Sequence, residues 1–174
     1  MIKIIPNWHP IFVHFSVALL TTATLLYLLE PWLRQTRFGA QLAIVARWNL
    51  WLGAAISIIT VLFGFQAFYT VLHDDPAHVT MSAHRNWAIA TLILFLGLAA
   101  WSGWQQRTNS KPPRLFLAML TLAFAILTIT AWHGAEVVFR HGIGVLSLPK
   151  PEGAFRHSDE PHAHSHTLKS AEEQ

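Results

Sequence analysis

Residues 10–33 read PIFVHFSVALLTTATLLYLLEPWL, and between Lys3 and Glu30 there is no Lys, Arg, Asp or Glu. Crossing a hydrocarbon core takes roughly 20 largely apolar residues in a helix, so this stretch is long enough to span a bilayer. Pro10 suits a first helical turn, where no backbone donor is lost. The run is too long for a signal peptide, lacks a basic leader beyond Lys3, and is followed by Glu30, Pro31 and Trp32 in place of a cleavage site, so it reads as a retained span.

Three further stretches qualify: residues 48–72, 86–104 and 115–139. Short connections make neighbouring helices antiparallel, and the expected fold is all-α, a transmembrane four-helix bundle over residues 1–147. Residues 148–174 change character. PKPEGAFRHSDEPHAHSHTLKSAEEQ is polar and Pro-bearing, the composition of a disordered His-rich tail. The 174-residue chain is 53% hydrophobic and only 12% charged. A soluble domain has about twice that charge.

Lys and Arg are asymmetric. Arg34, Arg37 and Arg47 follow the first span, and Arg107, Lys111 and Arg114 follow the third; the middle connection HDDPAHVTMSAHR has only Arg85. The positive-inside bias makes the first and third connections cytoplasmic. Both termini and the middle loop then face the periplasm of a bacterial inner membrane. On the second span Gly53, Ser57, Thr60 and Gly64 form a small-residue stripe suited to helix packing. Trp8, Trp32, Trp48, Trp101, Trp104 and Trp132 lie near span ends as interfacial anchors.

The chain has no cysteine, so disulfides and thiolate chemistry are excluded. Its basic residues form no stripe with stacking side chains, which excludes nucleic acid. Phosphate loops and serine elbows are missing, and enzymatic turnover is not expected.

Eleven histidines remain, and this topology puts all of them in the outer half. His9 and His14 open the first helix, with His9 at the headgroup level and His14 about 7.5 Å deeper. His84 opens the third helix at the mouth of the bundle. His133 lies about 10 Å below Arg140 on the fourth. Ionisable groups inside a membrane normally face the bundle interior, so His14, His84 and His133 are expected to converge in a pocket. His133, Glu136 and Arg140 share one helical face, and Glu136 can pair with Arg140.

Two cofactor chemistries suit such a pocket. Haem b needs two axial histidines and no cysteine; the fitting pair is His14 with His133, or His84 with either, and Arg85 and Arg140 are partners for its propionates. A haem-free Zn, Cu or Fe ion would instead use His14, His84, His133 and Glu136. The functional expectation is a redox or electron-transfer subunit working with a cytochrome or other redox protein. The alternatives are a metal-handling membrane protein and a structural subunit of a membrane complex.

The opening His9-Pro10…Val13-His14-Phe15, the closing Gly134…Glu136-Val137-Val138-Phe139-Arg140-His141-Gly142…Gly144-Val145 and the middle AHRNWAIATL resemble the bacterial membrane family called domain of unknown function 2231. The resemblance covers about residues 7–146. It implies a four-span inner-membrane protein of a kind sometimes joined to cytochrome-like modules. Ser16 stands where the family commonly has proline, and Ala135 where it often has a second glycine; neither change removes a candidate ligand.

Overall fold

The computed structural model describes residues 7–108 and 111–145; the expected polar tail lies outside them. Four helices account for nearly all of the described chain: α1 (His9–Leu33), α2 (Gly39–Thr70), α3 (Asp75–Arg107) and α4 (Arg114–His141). All four are long and apolar enough to cross a membrane, with mean hydropathy of 1.6–2.2 in their best windows. The protein is a multi-pass membrane protein.

Local chemistry sets the helix ends. Pro10 occupies the first turn of α1, and the His9 N–H donates to Asn7 Oδ1 at 3.0 Å. Asp74 caps α3 in extended backbone, accepting from the Ala77 N–H at 3.0 Å, with Pro76 in the first turn. These are strong start signals, and they begin α3 eleven residues before the expected 86. His84 therefore does not open the third helix; it lies more than two turns inside it. At the far end of α4, Gly142 takes a left-handed conformation (φ 63°) and its N–H bonds to Val138 O, the glycine stop that the sequence suggested.

Helix α1 packs along α2 and α3 along α4, giving two antiparallel hairpins that meet through α2–α3 and, more sparsely, α1–α4. The hairpins are repeats of one another. A shift of 75 positions carries the buried Ser16, Leu20, Ala23 and Tyr27 of α1 onto Thr91, Phe95, Leu98 and Ser102, all buried on α3. A shift of 70 carries Ala46, Leu50, Gly53, Ser57 and Thr60 of α2 onto Phe116, Leu120, Ala123, Leu127 and Thr130, all buried on α4.

The repeats run in the same direction, so they are related by a pseudo-two-fold axis along the bundle. Only side chains near such an axis can touch their own counterparts. Tyr27 and Ser102 do so through a 2.8 Å hydrogen bond between their hydroxyls. Trp101, expected among the interfacial anchors, instead turns inward and meets Phe116 edge-on at 5.5 Å.

A duplicated histidine site

A second pair of counterparts meets at the other end of the axis. The rings of His9 and His84, 75 positions apart, stand 6.2 Å centroid to centroid at 78°. Each is seated on the partner helix of its own hairpin. His9 Nδ1 lies 2.9 Å from Thr60 O on α2, and His84 Nδ1 lies 3.0 Å from Thr130 O on α4. A carbonyl only accepts, so each Nδ1 carries the proton and donates. In the neutral ring the lone pair is then on Nε2.

The glycine four residues beyond each threonine makes this seat possible. Helical side chains lean back over the preceding turn, where a Cβ at position 64 or 134 would crowd the imidazole. It would stand 3.1 Å from His9 Cε1 and Nδ1 in the first hairpin, and 3.0 Å from His84 Cε1 in the second. One turn deeper, the Thr60 hydroxyl donates to Ile56 O and receives a 2.7 Å hydrogen bond from Ser16, and Thr91 and Thr130 are joined at the same distance. Each hairpin thus holds its histidine by the same four parts: His9, Ser16, Thr60 and Gly64, or His84, Thr91, Thr130 and Gly134.

A family model described as "Predicted membrane protein (DUF2231)" matches residues 6–147. The chain belongs to this family. No curated protein and no solved structure matches it.

In this DUF2231 chain the expected pocket residues separate. His84 is in the site. His14 is not: it is exposed on the outer face of α1, where its Nδ1 turns back to Pro10 O of its own helix. His9 takes the inward position. His133 stacks on Trp87 (6.4 Å, 15°), with Nδ1 3.4 Å from a Glu136 oxygen, and the other Glu136 oxygen is 3.0 Å from Arg140 Nη2. Arg85 lies over the Phe68 ring at 4.8 Å and bonds to Asn86 Oδ1.

The ion-binding set of His14, His84, His133 and Glu136 is therefore not assembled. Among the described residues, no three His, Cys, Asp or Glu side chains gather in a way that could hold a metal ion. The remaining described histidines stand apart from the axis: His73 Nε2 meets His78 Nδ1 at 2.9 Å, and His141 Nε2 meets Thr80 Oγ1 at 2.9 Å.

Proposed function

We propose that this DUF2231 protein is a redox or electron-transfer subunit of the bacterial inner membrane that binds haem b between His9 and His84. The carrying observation is the opposed pair of backbone-tied imidazoles on the pseudo-two-fold axis. Ligating histidines usually donate their other ring N–H to a carbonyl or carboxylate, which fixes the tautomer and the ring plane. Both rings meet that condition before any ligand arrives.

The spacing agrees. A ligating nitrogen sits about 2.0 Å from its metal and about 1.1 Å from its own ring centre, so imidazoles on opposite sides of one ion have centroids about 6 Å apart. The 6.2 Å between the His9 and His84 ring centres is the separation that two imidazoles holding one iron between them would have. Two histidines without cysteine suit non-covalent haem, whose bound iron would supply one-electron chemistry.

Arg85, held by an aromatic ring and a neutral amide, would be a cation available to a propionate. Arg140 is engaged by Glu136. The charge bias of the connections supports a periplasmic position for this end of the bundle and both termini, where a cytochrome could exchange electrons with it.

The detergent-purified full-length protein tests the reading through its visible spectrum and its pyridine-haemochrome content. We expect a six-coordinate low-spin b-type spectrum at one haem per chain. A colourless preparation that takes up no added haem b contradicts it, and stoichiometric metal in such a preparation would point to metal handling.

A further inference from the structure

The two halves of the site match part for part except beside the histidines. In the first hairpin Phe12 stacks on Phe63 (5.2 Å, 15°). The counterparts in the second hairpin, Trp87 and His133, keep the same parallel stack at 6.4 Å, with an imidazole in place of a phenyl ring. One turn on, Gln66 is replaced by Glu136, and Thr70 by Arg140. The duplication supplies an internal control: a position that needs only an aromatic face and a neutral amide in one half carries an ionisable pair in the other.

The two side chains of that pair stand close without a hydrogen bond between them. His133 Nδ1 is buried and lacks a hydrogen-bond partner, while the nearest carboxylate oxygen of Glu136 stands 3.4 Å away. An imidazolium there gains a charge-assisted donor–acceptor contact that the neutral ring lacks. Of the charged and titratable groups, Glu136 on α4 stands beside it and pairs with Arg140 one turn on, while His84 of α3, which meets His9 of α1, lies against Gly134, the residue that follows His133.

We infer that His133, held by Glu136, is a redox-linked proton acceptor for the His9–His84 centre. This rests on the haem reading above. With haem b held by His9 and His84, one electron from a reduced cytochrome-type donor would remove one positive charge from the site, and one proton from the water at the histidine-bearing end would bind His133 and restore it. Loss of the electron to an acceptor of the same class would return the proton to water. His133 is thus a positioning and charge-compensating residue, and it ligates nothing.

The test is potentiometric titration of the full-length protein reconstituted with haem b, from about pH 5 to 8, the range in which histidine titrates. Tight coupling of one proton to one electron lowers the midpoint potential by about 59 mV for each tenfold fall in proton activity. We expect a slope approaching that value in the wild type and a flat response in His133→Phe, which copies the first hairpin. Glu136→Gln, which copies Gln66, should flatten the slope while leaving the ring in place. Haem that binds with a pH-independent potential in the wild type, or with equal slopes in all three proteins, overturns this inference alone. A wild type that binds no haem overturns the site reading and this inference with it.

Discussion

The first hairpin and the second share a buried plan and differ in what they place beside it. Both bring a histidine across to a threonine carbonyl uncovered by a glycine, and both lock helix to helix with a pair of hydroxyls. The first finishes the site with phenylalanines, and the second with Trp87, His133 and a carboxylate. The shared part seats a pair of equivalent histidines, and the unshared part sets an ionisable pair beside one of them. Duplication thus supplies two matching seats, and divergence of one copy changes what stands beside its seat without disturbing either.

The largest effects should come where a side chain fills a seat. Gly64→Leu or Gly134→Leu should displace His9 or His84 from its carbonyl, lowering haem b affinity by more than tenfold in a spectroscopic titration. The two variants should behave alike; a large effect from only one would mean that the seats are not equivalent. Gly53 tests where the halves differ in packing. An added Cβ there would lie 2.7 Å from Leu20 Cδ2, whereas the counterpart position already holds Ala123. Overpacking a fitted interior costs typically 1–3 kcal/mol, so Gly53→Ala should lower stability by about 1 kcal/mol or more in a reversible detergent unfolding assay.

Smaller effects belong to the hydrogen bonds. Contacts between helices in a bilayer contribute about 0.6 kcal/mol on average. Ser16→Ala and Thr91→Ala should each cost about that amount by the same assay, and equally, because they are counterparts. Tyr27→Phe removes the axial bond to Ser102. A double-mutant cycle with Ser102→Ala should return a coupling of about 0.6 kcal/mol, and zero coupling would put these hydroxyls apart.

The bundle itself was legible because lipid demands long apolar helices whatever their detailed packing. Its ends were less so. Hydropathy ends where charge begins, but α3 starts at the Asp74 cap and runs through a polar stretch, and this moved His84 from the rim to the interior. The site was half legible. Depth along the helix selected His14, yet facing depends on angle. At about 100° per residue, five positions separate His9 and His14 by about 140°, so both cannot face inward.

Ser16, Leu20, Ala23 and Tyr27 mark the buried face, and His9 is in phase with it. That phase was readable, as was the repeat of His-x6-Ser/Thr in α1 and α3 and of Thr-x3-Gly in α2 and α4. The carbonyl seats were not, because a backbone oxygen leaves no mark in a side-chain pattern.

In the proposed function His9 and His84, and not His14, would hold the iron. The most direct measurement is parallel haem b titration of His9→Ala, His14→Ala and His84→Ala in the full-length protein, read by the low-spin bis-histidine absorption spectrum. The account predicts that His14→Ala keeps the wild-type spectrum and stoichiometry, while each of the other two loses the six-coordinate form. Loss in His14→Ala with retention in His9→Ala would contradict it.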